Sequence, residues 1–168
     1  MIKKVLIFAV GNESRGDDAL GPLLLRELDV WLQTHKLSAQ FELLEEFQLQ
    51  VEHAMDMHER ELVLFVDAGM NTHAPFYFSR ATPNGAPVLY SHALEPEALL
   101  NVYQQFYKVP PPPVYILCIS GESYELGEPI GAKAQQHLAA AFEFAKQLAE
   151  QPDADIWDAA CTEKTKEN

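Results

Sequence analysis

Three side chains in this sequence combine residue types that bind divalent metal ions: Asp18, Asp67 and His92. Each acid lies shortly after an apolar run of the chain, and the histidine precedes a segment with helical spacing. Two carboxylates and an imidazole suit a borderline divalent ion and leave coordination positions open. Open positions admit water, or a metal ion that another molecule already holds in part. The three residues together therefore predict a site that contacts a metal ion.

Each of the three also has an ordinary structural interpretation. Asp18, or its neighbour Asp17, is suited to cap the helix predicted to begin near Ala19. Asp67 is suited to open a turn, and a single loop histidine is usually exposed or bonded locally. Sequence alone fixes no distances between side chains, so both interpretations stay open at this stage.

Four short apolar runs, partly β-branched and bounded by polar residues, predict buried strands. They are Val5–Val10, Phe41–Leu44, Leu62–Val66 and Val114–Ile119. Helical spacing predicts helices over Leu20–Trp31, Val51–His58, Glu95–Tyr107 and Ile130–Leu148. Strands separated by helices need crossover connections, which predicts an α/β fold with a doubly wound, largely parallel open sheet and helices on both faces. Ligands bind such sheets beyond the carboxyl ends of the strands.

The remaining segments have weaker patterns. Several prolines interrupt Phe76–Ser79 and Val88–Tyr90, which predicts an irregular hairpin or an edge strand. Pro110–Pro113 predicts an extended lead into the last strand, because proline lacks an N–H donor. Residues 1–150 are predicted to form one domain, and residues 151–168 a C-terminal tail that frays, because they have no clear apolar period.

Composition narrows the classes of partner. The chain has 25 acidic and 12 basic residues, giving a formal net charge of −13, so neither nucleic acid nor an anionic membrane is expected as a partner. Its N-terminal apolar stretch is too short for a membrane span and lacks a cleavage region. The two cysteines, Cys118 and Cys161, form no disulfide framework, which favours a cytoplasmic setting. Cys118 is predicted to lie in the core.

Other catalytic motifs are not evident. The segment Gly11–Gly21 lacks both the dinucleotide and the P-loop glycine patterns, and it offers acids where a phosphate needs cations. Ser120–Ser123 does not match the nucleophile elbow Gly-x-Ser-x-Gly. The sequence therefore identifies no nucleophile.

Several blocks, in order, resemble the nickel-iron hydrogenase maturation endopeptidases. The residues from Phe8 to Gly21 are similar to that family's opening strand, Gly-Asn turn and acidic pair before a helix. Val63–Ala68 resembles the strand that ends in the family's second metal-binding acid, and Ser91–Leu94 resembles the loop that carries its histidine. Gly121–Gly127 resembles a later block. Ordered agreement of several blocks is more specific than any single motif.

The resemblance implies a doubly wound, aspartyl-protease-like endopeptidase that removes the C-terminal extension of the hydrogenase large-subunit precursor after nickel insertion. Asp18, Asp67 and His92 occupy the positions that contact nickel in the family, so nickel is expected to arrive with the substrate rather than to be permanently bound. Gly11, Asn12 and Gln48 are expected to line the substrate groove. The attacking water would be activated by the metal or by a neighbouring carboxylate such as Asp17.

The chain departs from the family pattern at two places. Ala19 replaces a frequent glycine, a change compatible with a helix. Glu45–Gln48 replaces an Asp-Gly-Gly-type turn that would border the substrate groove, while Gln48-Leu49 and Glu122–Gly127 are most similar to proteases of the soluble, NAD-reducing hydrogenases. Two other functions stay open: a nickel-dependent chaperone that binds the precursor without cutting it, and a metallohydrolase that acts on a small amide or ester.

Overall fold

A five-stranded sheet forms the centre of the structure, a computed structural model that describes residues 2–83 and 94–162. The strands are β1 (Val5–Val10), β2 (Phe41–Glu46), β3 (Leu62–Met70), β4 (Phe76–Ala81) and β5 (Val114–Gly121). Their order across the sheet is β2-β1-β3-β5-β4, and all neighbours are parallel except β4, which runs antiparallel to β5. The weak pattern at Phe76–Ser79 is therefore an edge strand, whereas Val88–Tyr90 lies outside the described residues.

Helices cover both faces of this sheet. They are α1 (Leu20–Thr34), α2 (Pro96–Tyr107), α3 (Ala132–Glu150) and α4 (Ala154–Ala160), with short 3-10 helices at Gly16–Ala19, Ser38–Gln40 and Val51–Met57. α1, α3 and α4 pack on one face, and α2 packs with the 3-10 helix Val51–Met57 on the other. The predicted doubly wound α/β fold is confirmed. Within the described part of the chain, none of the helices has the length and apolarity that a membrane span requires.

The apolar runs form central strands because they supply side chains to both faces. Along β1, Ile7 and Ala9 join the core under α1 and α3, whereas Leu6 and Phe8 join the core under α2. All four are at most 2% exposed. A strand that is buried on both faces reads as a continuous apolar run rather than an alternating one, which is the pattern that predicted it.

The chain order creates a crevice between the loops that follow β1 and β3. From β1 the chain passes through α1 to β2 on one side, and it then returns across β1 to reach β3 on the other side. The connections after β1 and β3 therefore diverge at the carboxyl edge of the sheet. Such a switch point is where open α/β sheets bind ligands.

The segment after Gln151 differs from the predicted fraying tail. The Asp153 side chain caps α4 by accepting the N–H of Ile156 at 3.2 Å, and the Trp157 side chain is fully buried. The Trp157 indole N–H donates to the carbonyl oxygens of Leu148 and Gln151, each at 3.0 Å. Residues 151–162 are thus part of the folded domain. A single large aromatic side chain anchors them in the core, and one such residue produces no apolar period in the sequence.

The C-terminal helix makes a first prediction. Replacing Trp157 with Ala should lower the free energy of unfolding by about 3–5 kcal/mol, because it empties a large core site. Ile156→Ala, on the exposed side of the same helix, should change it by less than about 1 kcal/mol. Urea unfolding of both variants measures this, and equal, small effects would mean that α4 is not part of the cooperative core.

Candidate active site

The loop after β1 is held tightly against the start of α1 by two glycines. Gly11 has a φ of +154°, and a Cβ at this position would overlap the carbonyl oxygen of Asp18. A Cβ at Gly21 would lie 2.7 Å from the carbonyl oxygen of Val10 and 2.8 Å from that of Val66. The ends of β1 and β3 and the start of α1 can approach this closely only because both residues lack a side chain.

Asp18 lies in the 3-10 helix Gly16–Ala19, between this loop and α1. Its Oδ2 accepts the backbone N–H of Asn12 at 3.0 Å, and its side chain caps neither that helix nor α1. Burial raises the pKa of Asp18, against the opposing effects of the Asn12 N–H and the Arg15 charge. The capping interpretation of Asp18 is therefore wrong, and the carboxylate faces the crevice.

Asp67 lies inside β3 rather than after it, because the strand continues to Met70. It pairs with Cys118 of β5 in the sheet, which excludes the alternative of a turn-opening residue. Its Oδ1 accepts the N–H of Ala68 at 2.7 Å. Burial, followed by the negative charge of Asp18, raises the pKa of Asp67 to about 7, although the Ala68 N–H opposes the rise.

Both acids line one cleft at the switch point, with a volume of about 530 Å³. The predicted groove residues Gly11, Asn12 and Gln48 line it as well. Its other lining residues are Val10, Arg15, Phe47, Leu49, Phe65, Leu94, Glu95, Pro96, Ile116 and Cys118. The cleft thus combines an apolar floor with two carboxylates that influence each other electrostatically, which is an arrangement suited to a cation.

The third predicted metal-contacting residue, His92, lies outside the described residues. Among residues 2–83 and 94–162, no three His, Cys, Asp or Glu side chains come together as a metal-binding group. The structure therefore brings together Asp18 and Asp67, and the role of His92 stays a prediction. Leu94, two residues further along the chain, lines the cleft and forms a bridge with Leu49.

Asp17 has contacts that do not suit the predicted role in water activation. Its Oδ2 accepts the N–H groups of Glu122 and Ser123 at 2.7 and 3.2 Å, and its Oδ1 accepts that of Gly131 at 2.9 Å. The residue is only 2% exposed. Burial raises its pKa, but the three N–H bonds and the His137 charge outweigh burial and leave the pKa below its ordinary value. A carboxylate so engaged is a weak base, so Asp17 instead anchors the loop that follows β5.

Sequence reasoning placed Cys118 in the core, yet the structure shows it partly exposed in the cleft. Its thiol contacts the Thr72 hydroxyl at 3.6 Å, and burial, together with the Asp67 charge, raises its pKa. The thiol is therefore a poor nucleophile at neutral pH. The sequence signal for the position of Cys118 was the alternation of side chains between the two faces of β5. The pairing of Cys118 with Asp67 depends on the register between β5 and β3, which the sequence does not show.

Taken together, the fold and the cleft define an open α/β protein with two acidic residues in a cleft at its topological switch point. Solved structures with this fold include the NiFe hydrogenase maturation protease HycI from Thermococcus kodakarensis, with a TM-score of 0.64 and 19% identity over 89% of this chain and 94% of that one. The hydrogenase maturating endopeptidase HybD from E. coli has a TM-score of 0.64 and 20% identity over 88% and 93%. The hydrogenase 2 maturation peptidase of a Thaumarchaeota archaeon has a TM-score of 0.60 and 19% identity over 86% and 97%.

These similarities establish that the chain has the fold of the hydrogenase maturation proteases over most of its length. The fold implied by the sequence resemblance is thereby confirmed. No protein-family model matches the chain, and no curated protein matches it in sequence.

The raised pKa of Asp67 predicts a specific pH dependence of stability. In the folded protein Asp67 keeps its proton up to a pKa of about 7, whereas in the unfolded chain it loses the proton near its ordinary pKa of 3.8. The wild type should therefore lose stability as pH rises through this window, by up to roughly 4 kcal/mol for a shift of this size. Asp67→Asn, which carries no charge, should avoid that loss.

Urea unfolding at pH 4 and pH 8 tests this expectation. Asp67→Asn should match the wild type at pH 4 and exceed its stability at pH 8. Asp155→Asn, at an exposed position of α4, keeps Asp67; it is the control and should follow the wild type at both pH values. A constant difference between Asp67→Asn and the wild type at both pH values would contradict the assignment.

The neighbouring acids Asp17 and Asp18 should respond differently to the same change. Asp17→Asn turns an amide N–H₂ toward backbone N–H donors and should lower the free energy of unfolding by roughly 2–4 kcal/mol. Asp18→Asn loses little, since Asp18 accepts one described N–H bond and its pKa is raised, so the change should stay below about 1 kcal/mol. Chemical denaturation of the two variants measures this contrast, which would vanish if Asp17 were a free, solvated base.

Proposed function

We propose that this chain is an endopeptidase that removes the C-terminal extension of a hydrogenase large-subunit precursor after nickel has been inserted. The observation that carries the proposal is the meeting of Asp18 and Asp67 in one cleft at the switch point of a fold shared with hydrogenase maturation proteases. That fold alone does not establish an activity, because one fold can host many functions, whereas the chemistry of the cleft limits what it can bind.

The cleft offers what a substrate-borne metal ion needs. Two carboxylates that are partly withdrawn from water repel each other, and a bound cation would stabilise both in their charged forms. Nickel that the precursor already holds has coordination positions left for such side chains. We place His92 as the third contact, because Leu94, two residues after it, lines the same cleft. In this proposal nickel belongs to the substrate and reports that the precursor is loaded.

The remaining cleft residues would hold the extended peptide. Gly11 lines the cleft. Asn12 donates its backbone N–H to Asp18, and Gln48 lies on the loop after β2. Hydrolysis adds water across the scissile amide and yields a carboxylate and an amine. We also propose a soluble, NAD-reducing hydrogenase as the source of the precursor, on the sequence of Gln48-Leu49 and Glu122–Gly127, and the cytoplasm as the place of the reaction.

A cleavage assay tests the proposed function. Purified protein should release a C-terminal peptide from nickel-loaded precursor, and not from nickel-free precursor, as measured by mass spectrometry. Ala in place of Asp18, Asp67 or His92 should lower the cleavage rate by more than about 100-fold, since groups that merely orient a metal ligand already contribute about 10- to 100-fold. Asp155→Ala, at an exposed position of α4, should cleave at the wild-type rate.

Other outcomes would identify the alternative functions. A stable complex with loaded precursor that is never cut would indicate a chaperone. Stoichiometric metal in the purified protein, with hydrolysis of small amides or esters in the absence of precursor, would indicate a metallohydrolase. Unaltered cleavage by His92→Ala would remove that residue from the site.

A further inference from the structure

The hydroxyl group of Tyr124 is buried without a hydrogen-bond partner among residues 2–83 and 94–162. Buried hydroxyl groups in native proteins nearly always have a partner, because an unpaired one loses its bond to water without replacement. Neither the fold nor the proposed chemistry described above uses this hydroxyl. Its environment therefore calls for a physical explanation.

The loop after β5 holds the Tyr124 ring next to Gly121, at the end of that strand. The three N–H bonds to Asp17 and a bond from the Asp17 N–H to the Ser123 carbonyl at 2.8 Å fix this loop against the loop after β1. The Tyr124 Cε1 atom lies 3.4 Å from the position that a Cβ on Gly121 would take, at the end of β5. The anchored loop thus holds the ring edge beside Gly121 of β5, the strand whose Cys118 pairs with Asp67 of β3.

The hydroxyl group of Tyr124 lies among acidic side chains. Burial and then the charges of Asp67, Asp18, Cys118 and Asp17 raise the pKa of Tyr124, so the phenol stays protonated at neutral pH and keeps a hydrogen that it can donate to an acceptor. Among these neighbours Asp17 has both oxygens engaged. A free donor therefore lies near the acid pair of the cleft.

Asp67 offers the complementary acceptor. Its Oδ1 accepts the Ala68 N–H, and no donor from the described residues bonds to its Oδ2. A carboxylate that holds a metal ion through one oxygen keeps the other free for a hydrogen bond, and such bonds fix the orientation of metal-contacting side chains.

We infer that Tyr124 is a positioning residue, whose hydroxyl donates a hydrogen bond to the Asp67 carboxylate when that carboxylate contacts the nickel of the precursor. The inference rests on the proposed function and adds to it a donor that has no partner among residues 2–83 and 94–162 and gains one in the loaded complex. Formation of this bond makes loaded precursor bind more tightly than nickel-free precursor, because only the loaded form brings the carboxylate into its metal-contacting orientation.

Tyr124→Phe tests the inference, because it removes the hydroxyl and keeps the ring. Tyr115→Phe is the matched control. The Tyr115 hydroxyl has two acceptors, Asp158 Oδ1 at 2.7 Å and the Ala154 carbonyl oxygen at 3.0 Å, and Tyr115 is not among the residues that line the cleft. For each protein, the affinities for nickel-loaded and nickel-free precursor are measured at low temperature before cleavage proceeds, together with the Tm.

The two variants should show opposite effects. Tyr124→Phe should weaken binding of loaded precursor about 10-fold, leave binding of nickel-free precursor unchanged, and leave the Tm unchanged or raise it. Tyr115→Phe should bind both precursors like the wild type and have a Tm lower by about 2–4 °C.

Each other outcome has a defined meaning. If the wild type shows no preference for loaded precursor, the proposed function fails. If the wild type shows the preference and Tyr124→Phe retains all of it, the inference is overturned while the proposed function stands. If Tyr124→Phe weakens both complexes equally and lowers the Tm, the hydroxyl is structural and the inference is likewise overturned.

Discussion

Three backbone N–H groups converge on the buried carboxylate of Asp17, and this interaction joins the loop after β1 to the loop after β5. A carboxylate in such a position is held in its charged form, so the anchor persists across the neutral pH range. It fixes the position of Asp18, the next residue, which lines the cleft, and it holds the loop that carries Tyr124 against the loop after β1. The geometry of the acid site therefore depends on a side chain that does not itself line the cleft.

The electrostatics of the site follow from where the sheet places its charges. Asp67 is part of β3 and lines the same cleft as Phe65 and Asp18; burial, followed by the Asp18 charge, raises its pKa to about 7. Carboxyl groups whose charged form is destabilised in this way cluster at functional sites in proteins. Under the proposed function, the incoming nickel of the precursor relieves this destabilisation, which gives the loaded substrate an advantage that the nickel-free substrate lacks.

The rest of the molecule serves to keep this edge of the sheet rigid. Strands β1, β3 and β5 are buried on both faces of the sheet. On the face covered by α1, the core is completed by α3 and by the Trp157 side chain of α4. Arg80 and Tyr115 both bond to Asp158, which fastens α4 to the antiparallel edge of the sheet. The C-terminal segment is thus a structural part of the domain and lies on the face opposite α2, which packs on the face that carries the cleft.

Continuous apolar runs and helical periods were enough to predict the α/β class, four of the five strands and the placement of Asp18 and Asp67 near strand ends. These features depend on local patterns, which a sequence displays directly. Tertiary structure alone decided that Asp17 and Asp18, adjacent and identical in type, have opposite environments, one saturated by backbone donors and the other open to a cleft. It also decided that Cys118 lies beside Asp67, that Trp157 completes the core and that the Tyr124 hydroxyl is unpaired among the described residues. Each of these depends on register and contacts between segments far apart in the chain, for which no single segment carries a signal.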